Sequence, residues 1–513
     1  MTVWHWLLLA AVTARAAARV WRAGRPARAL WPEAAAGALI PVLLCALAYC
    51  YVATLQLNTR WGWSADRLAP TIGLFHGYPL YSPIDKGPIN GWLHGPLAPI
   101  LWSPAALADS PQPALAIAAA INLVFLLSPL LYASVRFSAG SILPGMSGFV
   151  YGAAGLLLVY PTWYMASVLC SDAIAVALGL GSCLVLMGGA PPGARRLVLA
   201  ALLGVLAAWT KQTEAPLVVA QLGWLACVHG WRTSLRYGAL FAAVMAVAAG
   251  AVFGLMQPRD VILNMWTIPS SQKLTGSWAA AWTETADFLR YTLGFSVPCL
   301  LVLLPGARSA PSGRPGPGIA QAVALPISAA LVMLPLGVMA AMKVGGDRNS
   351  IHSVYYLAGA AIVAIAHVWS PSPPRAGVLR GAALLACSAA AVIALRLMAD
   401  YPSMSMVPPR CLSQQAWIFS RQHPGQTYFA QDPLATVMAE GRMYHFDYAV
   451  LDREHAGIVT SAKHIREGLP EAPLAVVYPR TDDPHTVLTQ FLPEFVFSSA
   501  TEDFIIYRRR GGK

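Results

Sequence analysis

Residues 34–67 read AAAGALIPVLLCALAYCYVATLQLNTRWGWSADR. No charge interrupts positions 34–56, enough chain for an α-helix to cross the roughly 30 Å hydrocarbon core of a bilayer. The run ends in a polar stretch where Trp61 and Trp63 precede a carboxylate, Asp66. Tryptophan gathers at membrane–water interfaces. The segment therefore reads as a span leaving the bilayer, followed by an acid held at its surface.

Similar apolar stretches recur along the chain, at 113–134, 146–165, 170–189, 197–210, 214–229, 237–256, 292–307, 319–342, 353–369 and 379–398. The 513 residues are 57% hydrophobic and 11% charged, against about 25% charged in a soluble domain. Most of the surface thus does not face water. The expected fold class is an α-helical polytopic membrane protein with about eleven transmembrane helices. The formal net charge of +12 reflects arginines in short loops and is no sign of a nucleic-acid partner. Seven of the eight cysteines lie in apolar stretches and none forms a C-x-x-C pair, so a disulfide-stapled domain is not expected.

Orientation follows from the loops. With residues 1–33 as a cytoplasmic interfacial segment, one side collects Arg136, Arg195, Arg196, Arg232, Arg236, Arg308, Arg314, Arg375 and Arg380. This is the positive-inside pattern. The membrane module then covers 34–399, with a long first outside loop at 57–112 and a second outside loop at 257–291. An odd number of spans places residues 400–513 outside. There charge rises and apolar runs shorten. Stretches 428–430, 474–478, 495–497 and 504–507 read as strands, and 412–422, 457–467 and 484–491 as helices, giving a small α/β domain.

Ionisable groups near a bilayer are functional candidates. Asp66 has the chemistry of a general base for a hydroxyl; its bland alternative is a surface pair with Arg67. Lys343, Arg348 and His352 surround the outer start of the tenth span, where helix N–H groups also favour a phosphate. Lys211-Gln212-Thr213-Glu214 lies between two apolar segments, as a second polar group or a plain loop with a Lys–Glu pair. Asp172 opens the fourth span. No D-x-D and no G-x-x-x-x-G-K-[ST] occurs, so neither a metal-bound nucleotide sugar nor ATP-driven transport has support. His445, Asp447, Asp452 and His455 match no metal-ligand spacing and read as a solvated strand edge.

Asp66, Gly77-Tyr78-Pro79-Leu80-Tyr81, His94-Gly95-Pro96-Leu97, Lys211-Gln212-Thr213 and Gly345-Gly346-Asp347-Arg348-Asn349 occur in an order and on a common side that resemble the C-type (GT-C) membrane glycosyltransferases. That superfamily includes protein mannosyltransferases, the aminoarabinose transferase of lipid A and many bacterial cell-envelope enzymes. The resemblance implies a polyprenyl-phosphate-linked sugar as donor and a cell-envelope glycan, lipid or protein as acceptor. It implies Asp66 as catalytic base, with Arg348, Lys211, His352 and Lys343 on the donor phosphate. Asn349, Gln212, Tyr81, His94 and Asp172 would support them. No cofactor and no metal is implied. Asp66 is followed by Arg67, where the best-known members often carry a second acid, which argues against a metal-assisted variant. Two other readings stay open: a transporter or lipid-linked sugar flippase, and a polysaccharide ligase or polymerase.

Overall fold

The computed structural model describes residues 54–137, 168–187, 191–274, 319–343, 348–357, 410–471, 473–480 and 487–510, with Val52, Ala279, Trp282 and Ala286 as isolated positions. The 1–33 segment, spans 146–165, 292–307 and 379–398, and most of spans 34–56 and 353–369 lie outside the described residues. So do Gly345, Gly346, Asp347 and the side chains of Arg348 and Asn349.

The backbone is helical over 54–60, extends at Trp61 (ψ 124°), and turns helical again as α1, Gly62–Phe75. The first loop then runs without regular structure to α2, Leu97–Trp102, and a 3₁₀ turn, Ser103–Leu107. Ile100 and Leu107 are exposed there, as expected for a segment lying along an interface. The membrane module continues with α3 (Pro111–Phe137), α4 (Asp172–Leu186), α5 (Ala194–Thr210), α6 (Leu217–His229), α7 (Trp231–Leu255) and α8 (Ile319–Ala341). Among the described residues, three helices are long and apolar enough to cross a membrane: α3, α7 and α8. Helix α7 shows why a membrane is needed. Leu235, Val247 and Leu255 are 60–85% exposed along its 25 residues, an apolar surface that water does not tolerate and lipid does.

Helices α4 and α5 pack antiparallel, and their two ends differ in chemistry. At one end Arg196 donates to the carbonyls of Val185, Leu186 and Met187 at 2.8–3.1 Å, satisfying orphan acceptors at the end of α4. At the other end, roughly 25 Å away by helical rise, Lys211 meets Asp172. Arg196 and Lys211 thus sit at opposite ends of the α4–α5 pair.

The chain after 410 forms α9 (Leu412–Gln422), β1 (Thr427–Phe429), α10 (Pro433–Glu440), α11 (Asp447–His455), α12 (Ala462–Glu467), β2 (Ala475–Pro479), a π-turn at Val487–Phe491, β3 (Phe495–Ala500) and β4 (Phe504–Arg509). The strands form one sheet in the order β1-β2-β4-β3. Strands β1 and β2 are parallel, with Tyr428 opposite Val476; the other two pairs are antiparallel. The four strands coincide with the stretches expected from sequence. The helices do so less well: α12 begins five residues late, and α10 and α11 were not anticipated.

The expectation of a solvated edge at His445–His455 is overturned. His445 and Asp447 are fully buried. His445 Nδ1 accepts from the Ile89 N–H at 2.9 Å. Asp447 accepts from the Tyr478 hydroxyl at 2.6 Å and the Val487 N–H at 2.8 Å. Both hold the unit together.

The first loop and the sheet unit are stitched along residues 82–89. Arg453 donates to Ser82 O (2.9 Å), Pro83 O (2.8 Å) and Ile84 O (3.3 Å). His464 Nε2 lies 2.8 Å from Gly87 O, and the Phe446 N–H donates to Ile89 O at 2.8 Å. Leu434, Val437 and Met443 of the sheet unit join Ala65, Leu68, Ala69 and Ile72 of α1 in one apolar cluster. The sheet unit therefore shares a face of the bundle with Asp66.

Candidate functional site

Asp66 lies in the second turn of α1, 3% exposed. Its bland alternative, a surface pair with Arg67, is not what the fold builds: Arg67 donates to Leu169 O at 3.1 Å. Opposite Asp66 stands Gly91. A β-carbon at Gly91 would fall 3.0 and 3.1 Å from the two Asp66 carboxylate oxygens and 3.1 Å from the Phe446 ring. The carboxyl is thus enclosed between α1, the first loop and the sheet unit. Its Oδ1 has no hydrogen-bond partner among the described residues. Burial pushes its pKa up to about 8; Arg67 opposes this, and the nearby Asp452 and Asp432 add to it.

Those two carboxylates come from the far end of the chain. Asp432 caps α10 by accepting from the Ala435 N–H at 3.1 Å, and burial raises it to about 6. Asp452 accepts from Gln272 at 3.2 Å and is likewise raised by burial to about 6. The only local signal at Asp432 is Pro433 after it, which fits the first turn of a helix and says nothing of Asp66. The approach of Asp432 to α1 is set by packing alone.

A second polar group adjoins the first. Lys211 Nζ sits 2.5 Å from Asp172 Oδ1, both side chains buried. The alternative of a plain loop with a Lys–Glu pair is not what the fold builds: Lys211 takes Asp172, and Glu214 accepts from the Ser353 hydroxyl. Asp172 also lies within electrostatic reach of His352 and His94. Gln212 Nε2 donates to Leu93 O and Met265 O, each at 3.0 Å, tying α5 to both outside loops. Tyr81 donates to His94 O at 2.9 Å. Burial, with the Lys211 charge next, pushes His94 down to about 3, so its ring is neutral. Arg67 is in reach of both Asp66 and His94 and links the two groups.

Gly95 explains the His-Gly-Pro sequence. A β-carbon there would lie 1.7 Å from Trp209 O, and the Gly95 N–H donates to Thr210 O at 3.2 Å. Only glycine lets the first loop lie against the end of α5.

Of the residues singled out in sequence, the fold thus gathers Asp172, Lys211, Gln212, His94, Tyr81 and His352 around the end of α5, and Arg67 is the group in electrostatic reach of both this cluster and Asp66. Lys343 is turned to another task, donating to Pro269 O at 2.7 Å. Arg348 and Asn349 lie on a 3₁₀ turn, Arg348–Ile351, just before His352.

The chain's fold resembles that of ArnT from Cupriavidus metallidurans in the apo state, with a TM-score of 0.52 at 12% identity, over 92% of this chain and 98% of that one. The same ArnT bound to undecaprenyl phosphate gives a TM-score of 0.44 at 12% identity, over 91% and 97% of the chains. The arabinofuranosyltransferase AftD from Mycobacteria gives 0.44 at 14% identity, over 92% of this chain and 40% of that one. No protein-family model and no curated protein matches the chain. The ArnT likeness establishes the fold, which is the one the GT-C resemblance implied.

Proposed function

We propose that the chain is a membrane glycosyltransferase of the GT-C type. It moves a sugar from a polyprenyl-phosphate donor to a hydroxyl of a cell-envelope acceptor on the non-cytoplasmic face. The observation that carries this is Asp66: a buried carboxyl with an unpartnered oxygen, enclosed between two parts of the chain and raised into the range of a working general base.

Asp66 takes the proton of the acceptor hydroxyl. The acceptor oxygen forms its bond to the anomeric carbon as the bond from that carbon to the lipid phosphate oxygen breaks. The electron pair leaves on the phosphate. A single displacement of this kind inverts the anomeric centre. Lys211 meets the growing charge. Its ammonium has three donors, of which Asp172 takes one. Arg348 and His352, on and just after the 3₁₀ turn that ends at Ile351, are the further candidates for the donor phosphate, while Lys343 is held by Pro269 O; fixed cations act without a metal. Tyr81, His94 and Gln212 hold the loop and helix ends in place, with Asn349 a further supporting candidate. The polar residues cluster at one end of the bundle, about 25 Å from Arg196, which favours surface chemistry over a path through the midplane.

The test is Asp66→Asn in native membranes, supplied with radiolabelled polyprenyl-phosphate sugar. The expected result is loss of labelled glycan with unchanged insertion and amount of protein. Transfer at the parent rate removes Asp66 from the chemistry and overturns the reading.

A further inference from the structure

Beside the carboxylate site lies a cavity of about 300 Å³, lined by Gln56 and Arg60 from the outer end of the first helix, Gln112 from the start of α3, and Arg410, Gln414 and Gln415 from the start of the sheet unit. Neither arginine forms an ion pair among the described residues. Three separate elements thus supply two guanidinium groups and four amides to one recess, of which Gln414 has its Oε1 accepting from the Gln112 backbone N–H at 3.2 Å. Guanidinium binds carboxylate and phosphate through paired N–H donors. A glutamine amide donates and accepts at once, as adjacent sugar hydroxyls require.

The cavity is joined to the site. Cys411, also in its wall, belongs to the apolar cluster that contains Ala65 and Leu68, the flanking turns of Asp66. Cys411 lies in electrostatic reach of both Arg60 and Asp432, and Asp432 in reach of Asp66. Arg60 precedes Asp66 by six residues, with the helix interrupted at the extended Trp61, an advance on the order of 10 Å along the chain. A short saccharide spans that reach.

We propose that this cavity is the acceptor subsite, and that the acceptor is an anionic saccharide whose carboxylate or phosphate sits between Arg60 and Arg410 while a neighbouring hydroxyl reaches Asp66. The proposal rests on the glycosyltransferase reading and names the substrate class for it. A bulk lipid headgroup fits the cavity less well, because it supplies the anion but leaves the four amides without hydroxyls to match.

The experiment uses the full chain in phosphatidylcholine nanodiscs, without donor, so binding is read apart from transfer. The probes are a galacturonate trisaccharide, glucose 6-phosphate and a neutral galactose trisaccharide, followed by calorimetry. We expect an anionic probe to saturate at about tenfold or lower Kd than the neutral one. Arg60→Gln with Arg410→Gln abolishes that preference, and so does Gln415→Glu at the exposed rim, a change the fold tolerates. Asp66→Asn keeps it. Equal affinity for charged and neutral probes, no saturable binding, or an unchanged preference in both variants overturns the proposal. Competitive loss of probe binding when phosphatidylglycerol joins the disc assigns the cavity to bulk lipid and overturns it as well. Because Asp66→Asn is read by product and the arginine variants by binding, failure of the mechanism and failure of the subsite give different results.

Discussion

Lys211 and Asp172 face each other at 2.5 Å across two antiparallel helices, with side-chain exposures of 8% and 2%. Removing one partner strands a buried charge, which costs about 3–5 kcal/mol. Lys211→Met alone should therefore lower the thermal midpoint in detergent clearly. Adding Asp172→Leu should recover much of the loss, since two apolar groups leave nothing unpaired. A double variant no better than the single one would show that the pair is not the unit that matters.

The Asp66 carboxyl is ionised only above about pH 8. As a base it works in that form, so kcat/KM for the acceptor should rise about tenfold per pH unit below 8 and level off above it. The sign for stability is opposite. The unfolded chain releases this proton near pH 4, the folded chain near 8, so this group's contribution falls as pH rises between them. Asp66→Asn should flatten that fall in denaturant titrations.

Asp432→Asn removes one of the charges that hold Asp66 up while keeping a side chain able to cap α10. The acid limb of the pH–rate profile should move to lower pH with the thermal midpoint nearly unchanged. An unmoved limb would show that Asp432 does not act on Asp66.

Two glycines of one loop should respond differently to alanine. Gly95→Ala drives a methyl into Trp209 O at 1.7 Å and should cost about 3 kcal/mol or more, seen as loss of folded protein. Gly91→Ala meets the Asp66 oxygens at 3.0–3.1 Å. That contact is close enough to displace the carboxyl and loose enough to fold, so transfer should fall while the melting curve holds.

Arg453→Met leaves the carbonyls of Pro83 and Ile84 without the guanidinium donor, while Ser82 O keeps the Asn264 amide at 2.9 Å. Hydrogen bonds to a charged group contribute about 1.5–3 kcal/mol each. Hydrogen exchange should accelerate across residues 82–89 and stay unchanged in α4 and α5. Unaltered exchange at 82–89 would mean the guanidinium is not what holds this loop.

Much of this architecture was legible because lipid and sheet impose simple patterns. Long apolar runs marked α3, α7 and α8, and short apolar runs marked the four strands. Asp66 stood out because a carboxylate after a span is costly. The pairing of Lys211 was not legible, since Glu214 is its neighbour in sequence and Asp172, thirty-nine residues away, is its neighbour in space. Asp432 and Asp452 were missed for the same reason: only the docking of α10 and of the 82–89 strap brings them to α1. His445 and Asp447 were misread because a short polar stretch looks alike whether it meets water or buried backbone.

The seam at residues 82–89 also constrains traffic. Five consecutive or nearly consecutive carbonyls, from Ser82 to Ile89, are gripped by the sheet unit. Approach from directly above would have to unzip them together. A greasy tail has no need of that road, because it can slide in sideways from the leaflet. On the proposed glycosyltransferase reading, the roof over Asp66 can thus stay shut through a whole cycle, with lipid cargo arriving along the plane of the membrane and the water-borne partner confined to the flank.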